Sequence, residues 1–140
     1  MLFRSVFVDD QGKRQPVRYQ IIPTAGVVNL DSVEAAKQGA NYLQEDLQRR
    51  LANGAVQFRL FGQLPNQGDP TKDGSIVWPA DRKRILLGTI RLTQVEPNQE
   101  ELQRSLAFNP IFLTNGIELS DDPLVSLRSA VYALSVAHRH

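Results

Sequence analysis

Alternating apolar and polar residues predict a β-hairpin at the start of the chain. Residues 5–8 are mainly apolar and β-prone, and residues 17–22 alternate up to Pro23. The intervening residues 9–12 have the composition of a turn, and Gly12 can take the positive φ that such loops usually need. We therefore predict two strands joined by a tight connection.

The same periodicity predicts two further strands. Along residues 56–64, Val56, Phe58 and Leu60 face one way, whereas the opposite side carries Gln57, Arg59, Phe61 and Gln63. Residues 65–75 contain two prolines and two glycines and are predicted to form a loop. Residues 85–93 then predict the fourth strand.

Helical periodicity appears between these strands and after them. Asp31 followed by Glu34 predicts a capping box, and Asn41 predicts the N-cap of a longer helix that ends near Gly54. The stripe on that longer helix is formed by Leu43, Leu47 and Leu51. Residues 97–101 open a helical turn, and residues 108–118 are expected to be ordered but irregular. Asp122 with Pro123 predicts the start of a last helix over residues 123–137.

Four strands with helices between and after them predict an α+β fold with a mainly antiparallel sheet. We find no internal repeat, low-complexity tract or linker, so residues 1–140 are expected to form a single domain. Four strands are few for a sheet that must protect its own edges. A missing partner, either another chain or another segment, is therefore expected.

Composition removes several classes of function. The chain has 140 residues, a length at which a protein usually builds its own core, and a formal net charge of +1, which gives no nucleic-acid footprint. It has no cysteine, which excludes disulfides, thiolate metal sites and cysteine nucleophiles. The only histidines, His138 and His140, exclude a histidine cage or an internal histidine triad. No stretch resembles a signal peptide or a membrane span, and the compartment stays open.

The last helix carries the candidate chemistry. Its apolar row contains Leu127, Val131 and Leu134, and a second row contains Arg128, Tyr132, Ser135 and Arg139. A guanidinium one turn from a phenol favours the charged form of that phenol, and such a row would suit a flat anionic ligand. A phenolate can hold ferric iron. Arginine and tyrosine at this spacing are nevertheless common on helices, and spacing alone favours an ordinary surface pair.

Other conspicuous residues are better explained by structure than by chemistry. Trp78 is expected to pack beneath a loop, and Asp121 and Asp122 are interpreted as a helix cap rather than a metal site. The phenylalanines predicted to lie in the core rather than in a cofactor site are Phe58, Phe61, Phe108 and Phe112.

The motifs together resemble the C-terminal part of the core domain of haem catalases, and most closely the small catalase-like haem peroxidases. The similar segments are Asp69-Pro70-Thr71-Lys72, Val77-Trp78-Pro79, Leu87-Gly88-Thr89-Ile90-Arg91-Leu92, Ala107-Phe108-Asn109-Pro110 and Gly116-Ile117-Glu118. Arg128, Tyr132 and Arg139 follow in the same order and spacing, and the N-terminal half is similar at Gly12, Val17-Arg18-Tyr19 and Pro23.

This resemblance implies an eight-stranded antiparallel barrel, of which the chain would supply the second half as a half-barrel of about four strands. It also implies a haem whose iron is bound on the proximal side by Tyr132. Arg128 matches the arginine that hydrogen-bonds the phenol oxygen, and Arg139 matches an arginine near a haem propionate. Ala107 and Phe108 match residues that line the proximal side of the haem.

The chain departs from the family pattern on the distal side. The family's distal histidine, its hydroxyl partner and its distal asparagine come from the N-terminal half of the core, and this chain is expected to begin after that half. We therefore identify no catalytic residue here. The positions that match the family's NADPH contacts are Gln20, Ile22 and Ala80, which lack the expected histidine and lysine side chains, so NADPH is not predicted.

Three functional hypotheses follow from the resemblance. The first is the proximal, haem-ligating half of a catalase or peroxidase that acts on hydrogen peroxide or an organic peroxide once a distal-half segment complements it. The second is a degenerate or truncated homologue that acts as a non-enzymatic interaction domain and pairs with a second copy. The third is haem carriage through Tyr132 without peroxide turnover.

Overall fold

The computed structural model describes residues 4–138, and this part of the chain folds into five strands and four helices. In chain order the elements are β1 (Arg4–Val8), β2 (Arg14–Pro23), α1 (Ser32–Ala36), α2 (Tyr42–Ala52), β3 (Val56–Gln63), β4 (Arg84–Leu92), α3 (Gln99–Ser105), β5 (Ile117–Leu119) and α4 (Pro123–Ala137). The α+β prediction is therefore confirmed.

The strands form one open antiparallel sheet in the order β4-β3-β2-β1-β5. The four predicted strands are present, but the prediction of an irregular segment over residues 108–118 is wrong at its end. Ile117 pairs with Phe7, and the turn before it is tied to β1 because Val8 N donates to Gly116 O at 2.9 Å. A strand of three residues is too short to show a period, so only its pairing with β1 reveals it.

The pairing register gives the sheet two chemically different faces. The apolar face carries the side chains of Phe7, Val17, Tyr19, Ile21, Val56, Phe58, Leu60, Ile90 and Leu92. The polar face carries those of Arg14, Arg18, Gln20, Gln57, Arg59, Gln63, Thr89 and Arg91, together with the apolar side chains of Val6, Val8, Pro16, Ile22, Phe61 and Leu86. The alternation predicted for β3 is thus confirmed, because its paired neighbours continue the same division.

The chain buries much less of itself than its length predicts. Among the described residues Val17 and Trp78 are the only buried hydrophobic side chains. The accessible surface is 10727 Å², whereas a compact monomer of this mass exposes about 7,300 Å². The core predicted for Phe108 and Phe112 is wrong, since these side chains are 73% and 80% exposed. Nothing in the described part of the chain covers them.

The helix starts follow the predictions with one correction. The side chain of Asp31 accepts hydrogen bonds from Val33 N and Glu34 N, which confirms the capping box of α1. Helix α2 begins after Asn41 as predicted, but Asn41 makes no side-chain cap. Its backbone has φ −106° and ψ 16°, which is not the extended conformation that side-chain capping usually requires.

Candidate functional site

One side of helix α4 is half-buried and carries Arg128 and Tyr132 together with Val125 and Val136, whereas Ser135 of the predicted polar row is exposed. Asp122 fixes the start of the helix by accepting a hydrogen bond from Leu124 N at 3.0 Å, with Pro123 in the first turn. The half-buried side chains beyond this cap include Arg128, Ser129 and Tyr132. The exposed apolar row consists of Leu124, Leu127, Val131 and Leu134. Surface helices ordinarily do the opposite, so the outward row is available for contact with another polypeptide.

Arg128 and Tyr132 are in contact on this half-buried side. The guanidinium carbon of Arg128 lies over the phenol ring, 5.9 Å from its centroid. One helical turn separates the two residues, and this spacing brings side chains together on an α-helix. The structure thus places a permanent cation beside the phenol, as the sequence pattern predicted, and leaves the ring half-buried rather than enclosed.

A turn between α3 and α4 is fastened to the same side of α4. Ser129 Oγ donates a hydrogen bond of 2.8 Å to Asn109 Oδ1. The two residues that precede Asn109 are the predicted site residues Ala107 and Phe108, which are both exposed. The sequence reasoning did not identify the contact of Asn109 with Ser129. The Asn109-Pro110 dipeptide is nonetheless a turn signal, and it could have directed attention to this position.

A second cluster covers the polar face of the sheet at Arg18 and Gln63. Arg18 is fully buried, its guanidinium carbon lies 4.3 Å from the centroid of the Trp78 ring, and its Nη2 donates to Ile76 O at 2.5 Å. Trp78 Nε1 donates to Pro70 O at 2.8 Å, and Gln63 Nε2 donates to Pro79 O at 3.0 Å. The prediction that Trp78 packs beneath a loop is confirmed, but the buried partner Arg18 was not foreseen.

An ion pair ties the two ends of this loop together. Arg82 donates from Nε to Asp69 Oδ2 at 2.7 Å and from Nη2 to Asp69 Oδ1 at 3.0 Å, a two-pronged arrangement that is among the stronger pairings of side chains. The hydrogen bond from Arg82 holds the pKa of Asp69 below its usual value, with help from the backbone of Asn66. The same hydrogen bond raises the pKa of Arg82.

The loop also contacts the start of α4. Asp122 is buried, and its carboxylate lies so close to the backbone of Gly74 that a β-carbon at position 74 would clash with it. The buried cluster on the polar face is therefore connected to the first turn of the helix that carries Arg128 and Tyr132. Glycine is required here by this close approach and not by its backbone angles.

The other predicted positions are separate from α4 or outside the description. Gln20 and Ile22 lie on β2, where their side chains point to the polar face, and Ala80 is exposed in the loop before β4. Arg139 lies outside the described residues. Within residues 4–138 no group of three or more His, Cys, Asp or Glu could hold a metal ion. No helix in that range is long and apolar enough to cross a membrane.

Comparison with solved structures shows that the fold is that of catalases. A bacterial catalase superposes with a TM-score of 0.83 at 23% identity, covering 98% of this chain and 29% of that chain. Catalase A from Saccharomyces cerevisiae superposes with a TM-score of 0.80 at 24% identity, covering 98% of this chain and 30% of that chain. The five-stranded sheet and α4 therefore correspond to less than a third of a whole catalase chain.

Sequence comparison then identifies the family. The family profile described as Catalase matches residues 5–140, so this chain belongs to the catalase family. A catalase-related peroxidase of Synechococcus elongatus is 32% identical over 95% of this chain and 39% of its own length. That of Mycolicibacterium paratuberculosis is 33% identical over 98% of this chain and 43% of its own length. The chain thus spans about two-fifths of these curated relatives, and the family generally depends on haem and acts on peroxide.

Proposed function

We propose that this chain supplies the proximal, haem-ligating portion of a catalase-like peroxidase, with Tyr132 as the ligand of the haem iron. The observation that carries the proposal is the contact between Arg128 and Tyr132 on the half-buried side of α4. Membership of the catalase family supplies the chemical context.

The donors present fit an iron porphyrin. The chain has no cysteine, and its two histidines lie beyond α4, so the phenol of Tyr132 is the oxygen ligand that best suits ferric iron. The guanidinium of Arg128, which is positively charged at ordinary pH, lies over that phenol ring. Exposed Ala107 and Phe108 offer an apolar surface to a flat macrocycle. When bound, haem would supply the redox-active iron that peroxide chemistry requires.

Arg139 is proposed to pair with a propionate. Its planar guanidinium can donate two parallel hydrogen bonds to a carboxylate. This part of the proposal rests on sequence position, because Arg139 lies outside the described residues.

Turnover of peroxide is proposed to need a second polypeptide segment. No histidine precedes His138, so the histidine that the family uses as a base on the distal side has no counterpart at its usual place in this sequence. Hydrogen peroxide or an organic peroxide would thus be consumed only by a complex in which another segment covers the distal side. Without that segment, the expected behaviour is haem binding with no turnover.

Haem titration of the purified chain tests the ligand. We expect a Soret band in the wild-type protein and a shifted or much weaker band in Tyr132→Phe, because the phenol oxygen is removed while the ring is kept. Tyr42→Phe on α2 is the matched control and should leave the band unchanged. A wild-type chain without a Soret band, or a Tyr132→Phe spectrum identical to that of the wild type, would contradict the proposal. A peroxide-consumption assay on the haem-loaded protein then distinguishes haem carriage from peroxide turnover.

A second candidate function is that of a non-enzymatic interaction domain. The apolar face and the outward row of α4 favour it, as does the position of β4 and β5 at open edges of the sheet. Such edges can pair with a second copy. Light scattering decides between the candidates, since a strict monomer that binds haem supports the first and a stable haem-free dimer supports the second.

A further inference from the structure

The turn before β5 is built around one side chain. Asn109 Oδ1 accepts a hydrogen bond from Ile111 N at 3.1 Å, and Asn109 O accepts one from Phe112 N at 3.1 Å. Pro110 follows Asn109, and proline at the second position of a turn fixes φ in advance. Residues 109–112 are thus a locally ordered unit within a longer irregular connection between α3 and β5.

The same oxygen joins this turn to α4. Ser129 Oγ donates to Asn109 Oδ1 at 2.8 Å, which makes Asn109 Oδ1 the shared acceptor of the turn and the helix. Ser129 follows Arg128 directly and precedes Tyr132 by three positions, and all three side chains are half-buried. The helix is therefore fastened to the backbone that immediately follows Phe108.

We propose that the hydrogen bond between Ser129 and Asn109 is a positioning clamp for the ligand side of α4. Both residues are positioning residues, because they act by tying the segment that follows Ala107 and Phe108 to α4, three residues before Tyr132, rather than by touching the ligand. This inference rests on the proposed haem site. It goes beyond that site by naming the contact that orders the apolar part of the site before a planar ligand arrives.

The clamp orders the connection before a ligand binds. An irregular connection loses backbone freedom when a ligand fixes it, and this loss weakens binding. A contact that already holds the segment reduces this cost and strengthens binding without touching the ligand. The 73% exposure of Phe108 fits this role, because an aromatic side chain left uncovered beside an anchored backbone is available to stack on a flat partner.

The test uses variants that remove or keep the hydrogen bond between Ser129 and Asn109. Ser129→Ala removes the donor, Asn109→Ala removes the acceptor, and Ser129→Thr and Asn109→Asp retain them. Ser126→Ala, at an exposed position on α4, is the matched control. Each full-length variant is titrated with haem, and hydrogen exchange at the amides of Ile111 and Phe112 is measured without haem.

We expect Ser129→Ala to weaken haem binding about fivefold, the effect of one half-buried hydrogen bond. The double variant of Ser129→Ala and Asn109→Ala should bind no more weakly than Asn109→Ala alone. Ser129→Thr and Ser126→Ala should bind as the wild type does. Exchange at Ile111 and Phe112 should be faster in Ser129→Ala, with the helix content unchanged.

Two results would overturn the clamp. Unchanged exchange in Ser129→Ala would show that the contact orders nothing. Faster exchange with unchanged haem affinity would show that the contact is structural only. The proposed function fails separately, through a missing Soret band or through a Tyr132→Phe variant that behaves as the wild type. A missing Soret band would also contradict the role of the clamp in haem binding. The hydrogen-exchange measurement would still show whether the contact between Ser129 and Asn109 orders the turn.

Discussion

The two faces of the sheet differ in how the rest of the chain covers them. On the polar face, residues 69–82 fold back over the strands, Arg18 stacks on Trp78, and the ion pair of Asp69 and Arg82 closes the loop. On the apolar face, Val17, Ser5 and Gly62 are buried, whereas Ile21 is 58% exposed. The loop thus covers the polar face at Arg18 and Gln63, while polar-face side chains further along β3 and β4, such as Arg59 and Arg91, are exposed.

This difference shows which surfaces of the sheet the chain covers with its own residues and which surfaces another polypeptide segment would have to cover. Two side chains of the polar face, Arg18 and Gln63, donate hydrogen bonds to carbonyl groups of the loop, those of Ile76 and Pro79. The apolar face needs apolar surface to cover it, and helices α1 to α4 carry no buried residue that could supply it. Covering that face is the expected task of another segment or a second copy.

The largest expected effect follows from removing the ring that covers Arg18 on the polar face. Trp78→Ala should lower the free energy of unfolding by about 3–5 kcal/mol, because a buried aromatic side chain is lost and the Arg18 guanidinium no longer stacks on a ring. Urea denaturation followed by circular dichroism measures the change. Phe112→Ala, at an 80% exposed position, is the control and should shift the value by under about 0.5 kcal/mol. Equal effects of the two substitutions would contradict the comparison.

An intermediate effect is expected from the ion pair of the loop, and it depends on pH. The folded-state pKa of Asp69 is lowered, so the pair stabilises the fold above about pH 4 and this contribution is lost as the pH falls through the folded pKa. Asp69→Asn should therefore lower the urea midpoint at neutral pH, and its difference from the wild type should shrink on acidification. Asp10→Asn, in the exposed β1–β2 turn, should match the wild type throughout. A difference that persists at low pH would refute the assignment to the ion pair.

The smallest effect on stability is expected on the apolar face. Ile21→Ser should change the free energy of unfolding by under about 0.5 kcal/mol, because its side chain is already 58% exposed. The same substitution should reduce binding of a hydrophobic dye and any self-association seen by light scattering. A large loss of stability would mean that this face is already covered in the isolated chain.

The fold was largely readable from the sequence because its signals are local. Several elements depend only on residues that lie close together in the sequence. They are the hairpin, the alternation of β3, the capping box at Asp31 and the start of α4 at Asp122. Strand β5 was not predicted because three residues are too few to show a periodic pattern. The side-chain cap expected at Asn41 is absent because capping depends on backbone angles, which the residue type does not fix. The core positions of Phe108 and Phe112 were wrongly predicted because apolar character alone does not say which polypeptide covers a side chain.

The candidate site likewise has one part that local sequence predicts and another that it does not. The row of Arg128 and Tyr132 follows from helical spacing, which fixes neighbours four residues apart. The contact of Ser129 with Asn109 and that of Asp122 with Gly74 join residues 20 and 48 positions apart, and no local pattern encodes them. Nothing in the spacing indicated that Arg18 would be buried against Trp78.

The sequence by itself determined the elements, the chemical division of the strands and the position of a phenol one turn from a guanidinium. These depend on the 2-residue period of strands and the 3.6-residue period of helices. Only the tertiary structure decided which part of the sheet the loop covers and which side of α4 is half-buried. Those choices depend on contacts between distant segments and on how much surface the chain can cover, and neither is written in any short stretch of sequence.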